Sequence, residues 1–140
     1  MSDPPVPGVV GLDHTADVGL EIEAPDLGGL LARAALGMAW LLTEAPPPPV
    51  TEERRLEVEA GDAPGLLRAW LRELLGWHTD DGFVPAEVRV QDARVGRVTA
   101  TVAGGVPAAE PIREIKGVTL HRLGAERRRD GWWGRVVFDV

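Results

Sequence analysis

The chain has 140 residues, an ordinary apolar fraction and no cysteine, which is enough for one compact domain and too little for two ordinary ones. The lack of cysteine excludes disulfides, thiolate catalysis and Cys-ligated zinc. A net charge of −7 and a pI near 4.9 repel polyanions, because nucleic-acid affinity rests largely on Lys and Arg neutralising phosphates; no stable direct nucleic-acid binding is expected.

No apolar run reaches membrane-spanning length, and the stretch from Met1 to Pro7 is proline-rich without the basic and apolar segments of a signal peptide. The expectation is a disordered lead-in over residues 1–10, a single domain over 11–140, and a cytoplasmic protein. The stretch Asp13-His14-Thr15-Ala16-Asp17-Val18-Gly19 then places two carboxylates and an imidazole just before the first convincing strand. From Val18, the alternation of Val18, Leu20, Ile22 and Ala24 against Gly19, Glu21 and Glu23 predicts a half-buried strand. If the strand extends back to Asp17, its parity sets that carboxylate on the wet face beside Glu21.

Asp26 supplies an N-cap after Pro25, and Leu27, Leu30, Leu31, Ala34, Ala35, Met38, Leu41 and Leu42 recur at helical spacing as far as Thr43-Glu44. Pro46 to Pro49 forbids continuation and makes a stiff connector to a strand over Val50 to Ala60. A second helix starts near Asp62-Ala63-Pro64 and carries Leu66, Leu67, Trp70, Leu71, Leu74, Leu75 and His78 on one stripe. Thr79 to Gly82 reads as an acidic turn without the alternating ligands of a calcium loop. Val84 to Val90 and Val98 to Val102 alternate as two strands about a hairpin connection at Asp92 to Gly96. Glu114-Ile115-Lys116-Gly117-Val118-Thr119-Leu120-His121 leads into another strand, which Arg129-Asp130-Gly131 turns back into Trp132 to Val140. The fold class is therefore α+β, a largely antiparallel sheet with two amphipathic helices packed on one face.

At the far end Asp139 mirrors Asp17 in pointing away from the more apolar row, although Val137 on the same row weakens the parity. Two carboxylates about 4 Å apart repel by roughly 4 kcal/mol at an effective dielectric near 20, so such a pair needs a cation, a shared proton or solvent. If the ends converge, Asp17, Asp139 and the Val140 carboxylate or carbonyl offer hard oxygen ligands suited to Ca²⁺ or Mg²⁺, and Asp13 can join them. The plain alternative is that both acids are simply solvated. His14 admits a general-base reading, but no zinc, phosphate-loop, nucleophile-elbow or dinucleotide motif accompanies it, and it is expected to hydrogen-bond the strand start. The run Arg127-Arg128-Arg129, with Arg122, Trp132 and Trp133 nearby, reads as a solvated hairpin tip that could dock an acidic partner.

Taken together, the Asp13 to Gly19 opening, the Glu114 to His121 block and the Asp130-Gly131-Trp132 hairpin leading to Val137-Phe138-Asp139-Val140 resemble the archease family in order and content. The chain departs from it at Gly117 and Leu120, where alanine and an aromatic are more usual. The resemblance implies a non-catalytic accessory protein of the RtcB-type RNA-splicing ligase, promoting GTP-dependent guanylylation and multiple turnover in tRNA splicing or RNA repair. It also implies a divalent metal, Ca²⁺ with Mg²⁺ or Mn²⁺ as alternatives, held by Asp17, Asp139 and Val140. Asp13, His14, Lys116 and His121 would then support those ligands or contact the partner. A stand-alone metal-dependent hydrolase and a passive interaction domain are the competing expectations.

Overall fold

The computed structural model describes residues 3–13 and 17–140. Its elements, in chain order, are β1 (Val9–Asp13), β2 (Asp17–Ala24), α1 (Leu27–Thr43), β3 (Glu52–Glu59), α2 (Ala63–Asp81), β4 (Val84–Arg94), β5 (Arg97–Gly105), β6 (Gly117–Val118), β7 (Gly124–Arg128) and β8 (Gly131–Asp139). Every strand pairing is antiparallel, and the strands divide between two sheets: β1-β2-β8-β6, with β7 also on β8, and β3-β5-β4. The α+β class with antiparallel pairing and two packed helices thus holds, and the division into two sheets is a refinement of it.

Both helices begin where a side chain replaces a missing backbone partner. Asp26 accepts the Gly29 N–H and Asp62 accepts the Gly65 N–H, each at 2.7 Å, satisfying one of the orphan donors at a helix start. α1 ends at Glu44, which takes a left-handed conformation just ahead of the proline run. Its ten buried residues leave little wet surface, and it touches strands of both sheets, so it forms the middle of the core. α2 presents the expected stripe, with Trp70 fully buried and its indole N–H donating to the Leu31 carbonyl at 2.8 Å. No helix among the described residues is long and apolar enough to cross a membrane.

Three segments differ from the sequence-based expectation. Thr79 to Asp81 form the last turn of α2, because nothing breaks the helix before Gly82, which caps it at φ +81. Asp81 is held at 2.7 Å by Arg54, whose guanidinium lies 4.2 Å from the Phe83 ring centroid. The strand expected from Glu114 onward splits into β6 and β7, with Arg122 at φ +54 in the intervening turn. Ahead of Gly11, where a disordered lead-in is expected, Val9 and Val10 open β1 and Val9 is buried.

The first sheet is what positions the ends of the chain. β2 lies along the whole of β8, pairing from Asp17↔Asp139 to Ala24↔Trp132. The other edge of β8 is shared, by β7 near its start and by β6 near its end. At the β7–β8 turn Gly131 has φ +141, and a Cβ there would lie 2.2 Å from the Ala24 carbonyl oxygen, so no other residue fits without displacing β2.

On the wet face of that sheet Glu21 stands opposite Arg135 and accepts from it at 3.1 Å. The Trp133 indole, as the largest effect, holds the Glu21 carboxyl below its ordinary value; burial opposes it as the next largest, and the hydrogen bond and charge of Arg135 add to the lowering. A carboxyl lowered in the folded state contributes stability that is fully present above the ordinary value of 4.5 and is lost as pH falls through the folded value. Denaturant melts across pH are therefore expected to show Glu21→Gln less stable than wild type above pH 4.5, with the difference closing below it. A difference that persisted unchanged in acid would contradict this assignment.

Candidate functional site

Asp17 opens β2 and Asp139 closes β8, and the register sets them directly opposite each other. Directly paired residues share one face of a sheet with Cβ atoms about 4.5–5.5 Å apart, and like charges there are destabilising unless something bridges them. Asp139 is exposed and Asp17 half-exposed, and neither takes part in an ion pair among the described residues. The chain folds this way locally because Gly19 leaves no side chain at a crowded crossing. A Cβ on Gly19 would lie 2.6 Å from the Val136 carbonyl oxygen, and β2 could not then close on β8.

Val140 follows directly and is half-buried against the core. On the other side, Gly117 of β6 pairs with Asp139, and the Lys116 N–H donates to the Asp139 carbonyl at 2.7 Å. The Thr119 N–H and hydroxyl both donate to the Val137 carbonyl, at 3.0 and 2.9 Å, and the His121 N–H donates to the Thr119 hydroxyl at 3.2 Å. The Glu114 to His121 block is thereby laced to the last strand, with Lys116, Leu120 and His121 exposed along it. Leu120, at 71 % exposure, is the most exposed of the large apolar side chains among the described residues.

Of the residues singled out in the sequence, Asp17 and Asp139 come together with Val140 next in the chain, Lys116 borders them through its backbone bond to Asp139, and His121 reaches only the Thr119 hydroxyl. His14 lies outside the described residues, as does the side chain of Asp13, whose backbone pairs with Val18 in β1–β2. Sequence reading missed Thr119 and Arg68. Arg68 reaches from α2 to donate to the Val118 carbonyl at 2.9 Å, and no local pattern distinguishes it from any other half-exposed helical arginine. Arg113, also unremarked in the sequence, donates to the Leu41 carbonyl and to Glu44, tying the segment before β6 to the end of α1.

Among the described residues no three His, Asp or Glu side chains converge in a metal-holding group. The two aspartates and the adjoining Val140 main-chain oxygens make an all-oxygen donor set, which suits a hard cation and not a soft one. A divalent ion would also cancel the charge that the register forces together. The donor chemistry therefore fits Ca²⁺ or Mg²⁺.

Beside this end, His78, Thr79 and residues 111–116 line an open cleft of about 620 Å³. The His78 Nδ1 is buried without a hydrogen-bond partner among the described residues.

Comparison with known proteins identifies the family and the fold. Residues 11–140 match the family described as "Archease protein family (MTH1598/TM1083)". The chain is 32% identical over 136 residues to "Protein archease" of Methanopyrus kandleri, covering 92% of this chain and 96% of that protein. A solved relative, the solution structure of Methanobacterium thermoautotrophicum protein 1598, superposes with a TM-score of 0.76 at 30% identity, covering 95% of this chain and 99% of its own. The crystal structure of a Thermotoga maritima protein titled an archease and possible chaperone shares the fold, with a TM-score of 0.65 at 22% identity over 92% of this chain and 94% of its own. The match of a whole-domain family, of relatives at these identities and of a solved fold over nearly the full length places this chain in the archease family.

Proposed function

We propose that this protein activates an RtcB-type RNA-splicing ligase, promoting its GTP-dependent guanylylation and repeated turnover, with Asp17, Asp139 and Val140 holding a divalent cation at the surface that meets the ligase. Archease-family membership carries a general accessory role in RNA-ligase biology, as a cofactor protein without catalysis of its own. The single observation behind the finer reading is the direct opposition of Asp17 and Asp139, two carboxylates set face to face with no bridging side chain among the described residues. A divalent cation between the two carboxylates would offset that repulsion and make the pair a binding site.

When bound, the metal supplies positive charge and open coordination positions at an exposed sheet end. The chain's own residues do the rest. β2 and β8 fix the spacing of the two carboxylates, and Gly19 permits their approach. Lys116, Leu120 and His121 offer a cation, an apolar contact and an imidazole on the adjoining edge, a combination suited to a protein surface.

The experiment is a guanylylation assay in which a matching ligase is incubated with labelled GTP, with and without this protein, in calcium- or magnesium-containing buffer. Stimulation of guanylylation and of product formed beyond one equivalent of ligase is expected. No stimulation would end the accessory reading, and consumption of RNA in a control lacking ligase would favour a hydrolase instead.

A further inference from the structure

The outer strands of the two sheets do not end alike. β4 carries Pro85 and two shifts of register, between Pro85 and Glu87 and between Val90 and Asp92, irregularities that spoil an edge for further pairing. β1 is short, and its outward N–H groups are already taken: Val9 donates to the Val6 carbonyl at 3.2 Å and Gly11 to the Asp3 carboxylate at 3.1 Å. β3 has neither protection. Its eight residues keep an unbroken register with β5, from Glu52↔Gly104 to Glu59↔Arg97, and no strand lies on its other side among the described residues.

The direction of its free groups follows from one bond. The Ala60 N–H donates to the Gly96 carbonyl at 2.9 Å, so in an antiparallel ladder the even-numbered residues of β3 bond to β5. The N–H and carbonyl groups of Glu53, Arg55, Glu57 and Glu59 then face outward, and no main-chain group of another element meets them among the described residues. The side chains of these four residues are exposed on the wet face of the sheet, whereas Leu56 and Val58 are buried in the core.

We propose that β3 is a self-complementary edge on which a second copy of this chain docks, antiparallel about a twofold axis at Leu56, joining the two three-stranded sheets into one. In that register all four outward residues of each copy find a partner, giving about eight main-chain hydrogen bonds. Arg55 faces Glu57 of the second copy, twice by symmetry, and opposite charges directly across a ladder attract. The neighbouring registers are worse. An axis at Arg55 opposes arginine to arginine and Glu53 to Glu57, and an axis at Glu57 opposes that carboxylate to itself. An axis at Arg54 brings Glu53 to Arg55 but calls on Pro49, which has no N–H to give. The one like-charged pair in the proposed register, Glu53 with Glu59, is eased within each copy: Arg89 holds Glu53 at 3.1 Å, and Arg97 lies 3.9 Å from Glu59. The net charge of −7 on each copy is screened beyond about 8 Å at physiological salt, which leaves the local pairing to decide.

The test is sedimentation equilibrium of the whole chain at physiological salt in EDTA, which keeps metal from bridging copies. A contact of two edge strands is at the small end of protein interfaces, and wild type is expected to dimerise with a Kd of about 10⁻³–10⁻⁵ M. Arg55→Glu or Glu57→Arg alone sets like charges across the axis twice and should raise Kd at least about tenfold. Arg55→Glu combined with Glu57→Arg restores opposite charges and should return Kd to within about threefold of wild type. Glu57→Pro removes an outward N–H that β5 does not use, and should give a folded protein, checked by its thermal melt, that stays monomeric. Should that variant fail to fold, the charge exchange decides alone. The proposal is overturned if wild type remains monomeric up to about 1 mM, if folded Glu57→Pro dimerises like wild type, or if the double exchange binds no better than the single ones. Neither ligase nor metal is present, so the outcome is independent of the accessory role.

Discussion

Trp70→Ala lowers the free energy of unfolding by about 3–5 kcal/mol, a large share of the roughly 5–15 kcal/mol that holds a domain of this size together. Trp70 is fully buried on α2, and its indole N–H donates to the Leu31 carbonyl on α1, so the residue ties together two helices that share one core. Truncation removes the aromatic volume and leaves a cavity between elements too regular to collapse into it. Trp70→Phe keeps most of the burial and loses the hydrogen bond, and is expected to cost about 1–2 kcal/mol. Urea denaturation of the three proteins measures both values. A loss below about 1 kcal/mol for the alanine variant would mean that α1 and α2 are not held through this residue.

Asp139→Asn is expected to change sign with calcium. Without metal, the variant relieves the repulsion between directly opposed carboxylates and gains up to about 1 kcal/mol over wild type. With calcium at about 100 times its Kd, the wild type gains about 2.7 kcal/mol from linkage. For a chain of this length that is a rise of roughly 8–10 °C in Tm. The variant, having lost one hard ligand, gains little. Thermal melts in EGTA and in calcium therefore cross: the variant is the more stable protein without metal and the less stable with it. Asp17→Asn should behave alike, because the two residues occupy one register position. Parallel responses of wild type and variants to calcium would show that the ion binds elsewhere or not at all.

How much of this was legible in the sequence depends on the range of the interactions involved. The helices are local objects. Asp26 and Asp62 as caps, the 3.6-residue spacing of leucines and the proline run after Glu44 marked their limits, and the structure agrees closely. The end of α2 was misread because Thr79-Asp80-Asp81 looks like a turn by composition, while the true stop is the left-handed Gly82. β1 has no alternation and follows several prolines; it is a strand because β2 is there to pair with it. The same dependence hides the division into two sheets, since which strand lies beside which is settled by packing on α1 and α2.

For the candidate site, the parity of β2 pointed Asp17 outward, but its opposition to Asp139 joins residues from the two ends of the chain. Parity raised it only on the condition that the two ends converge, and the family resemblance turned that condition into an expectation. Gly19 shows the same limit. In sequence it is one more glycine after a valine, and only the Val136 carbonyl beneath it explains why a side chain is forbidden. Thr119 and Arg68 act on main-chain carbonyls that the fold brings to them, and no spacing announces either.

The role proposed for the opposed aspartates is to serve the ligase. It is tested most directly by multiple-turnover RNA ligation with a matching ligase, comparing wild type, Asp139→Asn and no added protein, with folding of the variant verified by its melt. Wild type is expected to carry the ligase through many turnovers, and Asp139→Asn to leave it near the level without the protein. Full stimulation by the folded variant would contradict it.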